Sequence, residues 1–532
     1  MRRIWQTPLV LFIIVTVFVS IFTVGCQPKP EDGIVLNDIL QLQQMEISSF
    51  DPLDAYHAGH IQMVKQLYNT LVDIDFEGKP IPSLAAKWET GDGKIWRFYL
   101  VENAYFIEDP CFESKAQRLF NASDVKYTFE RLLRKDSKSL GVSYFTNILG
   151  AEEYRKGERN DIEGIKVVDD HTIDFVLKEI DFSFDALLTL PYSSIVQKRA
   201  VEYYGDDFSQ HPVGTGPFVL QKYEPNKEII LSKNGDYWEK QAGHQLPYVD
   251  EVIIHLTSDD NLALLMFKSQ ESDFLELSLP LLKQLKTMDI PFNYKTETEE
   301  NPQLNFYLIN LETLKDTNTR RAINYAINRS ELQKILSDEG NVTQSLYPPA
   351  IFKELASPQK ILSMNPDKAK EFLNINSLKV VCFDDVLSRS IASFIAQSLK
   401  TYGVSVEIES APFPVLVDRL TTGKYDLIQI YWGPLYADVF HYLNPFLTSS
   451  FPPAGNNFNR YSNPEFDRLV AEAKSLPPDR RPENLLKAED VILNDMPFLL
   501  LYFKNTIRAS NEKFDMPLHP LQYRFYKYAK QK

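Results

Sequence analysis

The pattern that most limits the fold of this chain lies in residues 378–408. A short apolar run at 378–382 is followed by apolar residues at helical spacing, and then by Gly403 and the alternating Val404 and Val406. The residues at helical spacing are Ile391, Phe394, Ile395, Leu399 and Tyr402. Because the apolar period changes from extended to helical and back, we predict a strand, an amphipathic helix ended by glycine, and a second strand. This βαβ unit indicates an α/β domain.

A second apolar run, at residues 425–432, is predicted to be another strand of the same sheet. In such sheets, ligands usually bind beyond the carboxyl ends of the strands. The segment at the end of this strand, residues 432–438, is therefore a candidate for the functional site.

Regular elements are also predicted in the first third of the chain. Ser123 or Asp124 can cap a helix whose apolar positions begin at Val125. Residues 95–106 and 164–177 have the pattern of strands separated by polar turns.

The N-terminus has the three parts of a secretory signal. Arg2 and Arg3 precede an uncharged apolar run at residues 9–22, and small residues then lead to Cys26. The run is shorter than the roughly 20 residues that a permanent membrane helix needs, so we predict cleavage before Cys26. The sequence around the cut resembles a lipobox, whose cysteine is lipidated, although Thr23 stands where leucine is usual. The alternative is an N-terminal anchor that is not cleaved.

Composition narrows the possible partners. Because removal of residues 1–25 takes away two positive charges and no acid, the formal net charge of −15 becomes −17 in the mature chain. Such an acidic protein is not expected to bind nucleic acid, or anionic lipid through a basic patch. The chain has 532 residues, 44% of them hydrophobic, which is too long for a single core, and we predict two or three domains.

Known catalytic and cofactor-binding motifs are missing from the sequence. Cys111 and Cys382 are far apart and form no zinc pattern, which agrees with buried thiols, but the sequence leaves open whether they are free. The Gly-Thr-Gly-Pro-Phe cluster at 214–218 lacks the third glycine of a dinucleotide loop and the Lys-Ser/Thr pair of a Walker loop. A structural role is predicted for it. We therefore predict no cofactor and no enzymatic activity.

One pair of histidines leaves a metal site open as an alternative. His57 and His60, at positions i and i+3, could face the same way on a helix. A metal site needs further ligands, and none can be assigned. We prefer histidines that are solvated or that line a ligand site, and we predict no metal.

Short motifs spread along the chain occur in the order known from one family. In the first half they lie at residues 49–52, 67–71, 82–88, 122–131, 213–218 and 234–238. In the second half they lie at residues 306–310, 321–329 and 461–467. In these motifs the chain resembles the class 5 extracytoplasmic solute-binding proteins, which serve ABC importers of oligopeptides, dipeptides, nickel and some glycosides. The resemblance covers nearly all of the mature chain, and the export signal agrees with it.

This resemblance implies an α/β fold with two lobes that close on a ligand, the type II fold of periplasmic binding proteins. The implied divisions are residues 26–55, 185–300 and 502–532 for the core of lobe I, 56–184 for an extra subdomain of lobe I, and 301–501 for lobe II. The chain would cross between the lobes twice, near residues 299–306 and 497–503. A ligand that contacts both lobes then stabilises the closed form, which the transporter would recognise.

The resemblance also draws attention to residues 432–438. Peptide-binding members of the family hold the α-amino group of the ligand with an aspartate three residues after a tryptophan. Here Trp432 is followed at that position by Leu435, so the carboxylate is absent. Because burial of an unpaired ammonium costs several kcal/mol, the usual mode of peptide capture is not expected.

The residues predicted to contact the ligand are Trp432, Gly433, Tyr436, Asp438, Tyr56 and His57. Asp438 could pair with a cationic group of the ligand, or could stabilise the loop. Trp432 and Tyr436 offer flat apolar faces to a ligand, and Trp432 could instead pack between the lobes. Tyr56 and His57 follow the first family motif, where the first lobe of the family lines the cleft.

The predicted function is that of a substrate-binding lipoprotein of an ABC importer, tethered to the membrane through Cys26. It would capture a peptide or a polar solute of similar size and deliver it to the permease, which works with its ATPases. We expect an exported, lipid-anchored monomer, either in the periplasm or on the outer face of the cytoplasmic membrane. Two alternatives remain open: an envelope hydrolase with an unrecognised carboxylate or serine, and an envelope receptor or chaperone without a role in transport.

Overall fold

The computed structural model describes residues 33–41, 47–356, 363–433, 435–452 and 455–532. The predicted signal at residues 1–25 and the predicted lipidation site Cys26 lie outside these residues, as does Pro434 of the predicted site. Within the described part of the chain, none of the helices has the length and apolar character that a membrane span requires. Residues Ile34–Lys532 form one compact unit.

Strands and helices alternate along the chain and are numbered here in chain order. The strands are β1 (Val35–Gln41), β2 (Val72–Ile74), β3 (Pro80–Pro82), β4 (Ala85–Thr90), β5 (Ile95–Leu100), β6 (Ile165–Asp169), β7 (Thr172–Val176), β8 (Phe218–Glu224), β9 (Glu228–Lys233), β10 (Lys240–Gln241), β11 (His244–Gln245), β12 (Glu251–Thr257), β13 (Phe274–Leu277), β14 (Lys295–Ile309), β15 (Gly340–Val342), β16 (Ser377–Phe383), β17 (Ser405–Ala411), β18 (Leu427–Trp432), β19 (Phe498–Ser510), β20 (Phe514–Asp515) and β21 (Lys530–Gln531). The helices are α1 (Ala58–Leu67), α2 (Ala122–Leu133), α3 (Ala151–Lys156), α4 (Phe184–Leu187), α5 (Lys198–Tyr204), α6 (Asp260–Lys268), α7 (Leu279–Thr287), α8 (Thr317–Tyr325), α9 (Arg329–Leu336), α10 (Pro366–Phe372), α11 (Val386–Lys400), α12 (Phe413–Thr422), α13 (Phe440–Leu443), α14 (Pro464–Lys474) and α15 (Pro482–Asp495).

The strands form two four-stranded sheets and one seven-stranded sheet, besides short two-stranded pairs. The four-stranded sheets have the orders β1-β12-β9-β8 and β4-β5-β7-β6. The large sheet has the order β13-β19-β14-β18-β16-β17, and β15 also pairs with β19. The regions 95–106 and 164–177, predicted to contain strands, contain β5 and the pair β6 and β7.

The βαβ unit predicted at residues 378–408 is confirmed. Strands β16 and β17 are parallel, and α11 connects them. Gly403, after the helix, has a φ of +86°, a left-handed conformation that glycine adopts at little cost. The strand predicted at 425–432 is β18, which is parallel to β16 in the same sheet. The segment 432–438 therefore leaves the sheet at the carboxyl end of β18.

Strands β14 and β19 are long antiparallel partners that connect the two parts of the molecule. Their pairing has a break in register between Glu300 and Leu304. On one side of the break β19 also pairs with β13, and on the other side β14 also pairs with β18. The break falls within residues 299–306, where the first crossing between lobes was predicted. The lobe boundaries themselves stay predictions.

Separate hydrophobic cores lie on the two sides of this break. One core combines residues between Leu36 and Phe274 with C-terminal residues between Phe514 and Ala529. Two further cores consist of residues between Leu304 and Phe503. They lie on opposite faces of the large sheet, since successive apolar residues of β14 contribute alternately to one core and to the other. Tyr436 is an exception, since it follows β18 in sequence but is buried in the first core.

The helix predicted near Val125 is α2, but its cap differs from the prediction. The Asn121 side chain accepts a hydrogen bond from the Ser123 backbone N–H at 2.8 Å. The Asp124 carboxylate accepts from the Asn121 N–H at 3.0 Å. The prediction that Ser123 or Asp124 is the cap was wrong because the helix begins earlier, and Asp124 instead completes a capping box from the third helical position.

Candidate ligand-binding cavity

A cavity of about 390 Å³ lies where the β14–β19 pair meets both parts of the molecule. Its wall consists of the residues around the start of α1, the middle of β14 and β19, the segment after β18, residue Glu276 of β13, and the C-terminal segment 516–524. Ligand pockets typically have volumes of about 300–1,000 Å³, so the cavity suits a small organic ligand.

Tyr56 and His57 lie on one side of the cavity, at the start of α1. The Nδ1 atom of His57 accepts a hydrogen bond from the Gly59 N–H at 3.1 Å, which places the proton of the neutral ring on Nε2. The His57 ring stacks on the ring of His60 at a centroid distance of 3.9 Å. Tyr56 is 55% exposed, so its ring is accessible to a ligand.

Lys504, Thr506 and Arg508 reach the cavity from β19, because alternate residues of a strand point to the same face. The interpretation of the sequence missed these residues. A signal for them was present, since the apolar run of β19 is followed directly by a mainly polar stretch at residues 504–510. Asn301 and Gln303 contribute to the wall from β14, close to the break in register.

The two arginines on the wall are held by carboxylates of the protein. Arg524 donates hydrogen bonds to Asp38 and to Glu276, each at 2.8 Å. Arg508 is largely buried, and its Nη2 lies 3.3 Å from a Glu297 oxygen. Both guanidinium groups are therefore neutralised locally and hold the wall together.

The C-terminal segment closes another side of the cavity. The Nε2 atom of His519 donates to the Asp75 carbonyl at 3.0 Å, and its Nδ1 accepts from the Leu521 N–H at 3.1 Å. Burial lowers the pKa of His519 to about 4, so the ring is neutral at pH 7. Gln522 has a φ of +64°, a left-handed conformation that costs a residue other than glycine about 1 kcal/mol or more. Strained residues of this kind are concentrated at functional sites.

The segment after β18 separates the predicted site residues into two groups. Gly433 lies on the cavity wall, together with Leu435, the residue at the position of the family's amino-anchoring aspartate. The wall formed by the described residues does not include Trp432, Tyr436 or Asp438. Each of these three side chains instead contacts other residues of the protein.

Trp432 and Tyr436 both contact His441, but only Tyr436 is buried in the first core. The indole N–H of Trp432 donates to the His441 carbonyl at 3.0 Å, and the two rings stack with centroids 5.3 Å apart. Tyr436 is only 2% exposed, and its ring meets Tyr144 edge to face at 5.9 Å. The segment after β18 is therefore bound to the part of the molecule that contains the first core.

Asp438 is likewise engaged by the protein. Its carboxylate accepts from the Phe440 N–H at 2.8 Å and lies 3.6 Å from the guanidinium of Arg481. Arg481 in turn donates to the Ser183 hydroxyl at 2.8 Å. These contacts correspond to the loop-stabilising role that was the alternative to pairing with a ligand cation.

His441 makes this segment sensitive to pH. Its Nε2 donates to the Gly433 carbonyl at 2.9 Å, and burial lowers its pKa from 6.5 to about 4. The unfolded chain binds a proton at His441 near pH 6.5, whereas the folded protein binds it only near pH 4. The neutral ring therefore contributes to the unfolding free energy above pH 6.5, and this contribution is lost as the pH falls towards 4.

Between pH 7 and pH 5, wild type should lose about 2 kcal/mol of unfolding free energy relative to His441→Gln. Urea denaturation of both proteins at the two pH values tests this, and an unchanged difference would contradict it.

Metal-ligating side chains and thiols are the other groups on which chemistry could depend. Among the residues that the structure describes, no group of three His, Cys, Asp or Glu side chains could hold a metal ion. Cys111 and Cys382 are both buried, and neither forms a disulfide with another described residue. Burial raises the pKa of Cys382 to about 11, so its thiol stays protonated and unreactive at neutral pH.

Two parts with separate cores, joined by crossing strands and enclosing a cavity, define a two-lobed binding protein of the type II periplasmic fold. The solved structure of HbpA2 from Haemophilus parasuis has this fold and matches with a TM-score of 0.77 at 20% identity, covering 94% of this chain and 100% of that one. The family model described as bacterial extracellular solute-binding proteins, family 5 Middle, matches residues 79–452. The chain therefore belongs to this family. The predicted family and fold are confirmed.

Curated relatives extend along most of the chain. The periplasmic oligopeptide-binding protein OppA of Salmonella typhimurium is 27% identical over 485 residues, which are 86% of this chain and 85% of OppA. The dipeptide-binding protein DppE of Bacillus subtilis is 26% identical over 519 residues, which are 91% of this chain and 90% of DppE.

Proposed function

We propose that this solute-binding protein captures a peptide, or a polar solute of similar size, and delivers it to an ABC permease and its ATPases. The observation that carries the proposal is the cavity of about 390 Å³, whose wall combines residues of both parts of the molecule with the crossing strands. A ligand there contacts both lobes at once and so favours the closed form. The similarity to oligopeptide- and dipeptide-binding relatives supports a peptide as the ligand.

The protein acts as a non-catalytic monomer at the outer side of the membrane. Cleavage before Cys26 and lipidation of its thiol tether the protein near its permease, and the apolar run at residues 9–22 supports this export route. Closing of the lobes brings together the surface that the permease recognises. The tether keeps the local concentration of the binding protein high at the membrane.

The ligand contacts Tyr56, His57 and Gly433, which lie on the cavity wall. Trp432, Tyr436 and Asp438 contribute indirectly, because their contacts hold Gly433 and Leu435 in place.

Gly433→Phe tests whether this cavity is the binding site. A side chain can be added here without a backbone clash, since the atom nearest to an added Cβ would be 3.8 Å away, on Gln303. The phenyl group should occupy the cavity and exclude the ligand sterically. Binding should weaken about 10-fold or more, which corresponds to a loss of only about 1.4 kcal/mol of binding free energy. Thermal unfolding in the presence of free di- to pentapeptides measures this. In wild type a peptide at 100 times its Kd adds about 2.7 kcal/mol to stability.

Gly235→Phe is the matched control, because Gly235 is exposed and a Cβ there meets no atom within 4 Å. It should keep the response of wild type to peptides. Equal responses of Gly433→Phe and Gly235→Phe would place the binding site elsewhere. If peptides were cleaved during the assay, an envelope hydrolase would be favoured, and binding of unfolded proteins without binding of small peptides would favour a chaperone.

A further inference from the structure

Lys504 is a charged group of the cavity wall that the protein itself does not neutralise. The charged residues on the wall are Glu276, Lys504, Arg508 and Arg524. The two arginines have carboxylate partners at 2.8 and 3.3 Å. Across the part of the chain that the structure describes, the Lys504 ammonium has neither a carboxylate nor another acceptor as a partner. A cation facing a cavity without a partner favours an anionic group on the ligand.

Glu276 is an acidic residue of the cavity wall whose charge the protein neutralises only in part. Its Oε2 accepts from Arg524 at 2.8 Å, but the same guanidinium also serves Asp38, so two carboxylates share one cation. The Oε1 atom makes no hydrogen bond with any described residue, and the side chain is 38% exposed. Glu276 therefore presents part of a negative charge to the cavity.

The other polar side chains at the cavity are less able to bind an ion. His57 caps α1 and His519 bridges two backbone groups. The Tyr523 hydroxyl donates to the Leu435 carbonyl at 2.7 Å. Among the described residues of the wall, Lys504 and Glu276 are thus the two whose charge is not fully paired within the protein.

The spacing of these two residues indicates a ligand length. Glu276 of β13 lies opposite Arg508 of β19, and Lys504 is four residues further along β19. At roughly 3.3 Å per residue, the two positions are about 13 Å apart along the strand. An extended peptide spans at most about 3.3–3.6 Å per residue, so about four residues bridge this distance.

We propose that the cavity binds a short zwitterionic peptide whose ammonium pairs with Glu276 and whose carboxylate pairs with Lys504. This inference rests on the proposed function and specifies its ligand. Each end of the peptide loses water when the lobes close, and each meets the opposite charge in exchange. The ammonium is then neutralised from β13 in lobe I, although the position three residues after Trp432 is occupied by Leu435.

The test uses the tetrapeptide that raises the melting temperature most in a mixed tetrapeptide library. This peptide is prepared with free ends, with an acetylated N-terminus and with an amidated C-terminus, and each Kd is measured by calorimetry. For wild type, blocking either end should weaken binding about 10- to 100-fold, because one charged hydrogen bond is lost. Glu276→Gln should no longer distinguish the acetylated peptide from the free one. Lys504→Gln should no longer distinguish the amidated one.

Matched surface variants control for the change of charge. Glu77 and Lys79 form an exposed ion pair at 2.8 Å and are not part of the wall, so Glu77→Gln and Lys79→Gln should bind like wild type. Glu276→Asp, which keeps the charge beside Arg524, should still prefer a free N-terminus. Its use guards against a loss of folding in Glu276→Gln.

The outcomes separate the two proposals. If no di- to pentapeptide binds, the peptide-binding function fails and this inference fails with it. If a tetrapeptide binds but wild type tolerates blocked ends, or both Gln variants keep both preferences, only the assignment of Glu276 and Lys504 is overturned.

Discussion

Replacement of Tyr436 by alanine is expected to lower the free energy of unfolding by about 3–5 kcal/mol and to weaken ligand binding. Tyr436 is 2% exposed and packs edge to face on Tyr144 and on His441, at 5.9 and 5.3 Å. Removal of its ring leaves a cavity in the contact between the segment after β18 and the first core. Because that segment supplies Gly433 and Leu435 to the ligand site, the site should also become less ordered.

Urea denaturation and the Kd of a bound peptide measure the two effects. Tyr436→Phe is the matched control, since it keeps the ring and removes only the hydroxyl, and it should stay within about 1.5 kcal/mol of wild type. A Tyr436→Ala protein as stable as wild type would mean that this segment does not hold the two parts of the molecule together.

Replacement of Gly214 by alanine is expected to cost about 3 kcal/mol or more, enough to reduce the yield of folded protein. A Cβ at Gly214 would lie 2.1 Å from the Leu67 carbonyl oxygen and 2.6 Å from the Tyr68 ring. The Leu67 carbonyl is backbone at the end of α1 and also accepts from the Gly216 N–H at 3.1 Å, so it cannot move freely. The glycine is thus required by close approach of two backbone segments.

Gly235→Ala is the control for the loss of a glycine, because nothing lies within 4 Å of its added methyl group. It should change the melting temperature little, and Gly216→Ala should behave like Gly214→Ala, since its Cβ would lie 2.3 Å from the Leu67 carbonyl carbon. Comparison of the melting temperatures of the three variants is the measurement. A normal melting temperature for Gly214→Ala would show that α1 can shift away from residues 214–218.

Much of the fold could be predicted from local patterns. The strand, helix and strand at residues 378–408 follow from apolar spacing alone, since each element buries one face in a shared core. Helix α2 was found for the same reason, but its cap was misplaced by two or three residues. Neighbouring polar residues at 121–124 can all accept backbone hydrogen bonds, so local chemistry does not single out Asn121.

The site was harder to predict. The residues singled out after β18 lie close together in sequence, yet Gly433 lines the cavity while Tyr436 is buried in the first core. Which residues of the segment after β18 face a ligand depends on how this segment packs against the first core. Glu276 and Lys504 were not found at all, because they belong to strands that meet only through the pairing of β13 with β19.

Three properties follow from the order of the amino acids alone: the α/β class, the order of the family motifs and the absence of a carboxylate at Leu435. These properties depend on local periodicity and on residue identity. Which charges share the cavity, and which side chains of the segment after β18 are buried, is known only from the folded chain. Such choices depend on contacts between residues as far apart as Asp38 and Arg524, whose pairing no local pattern encodes.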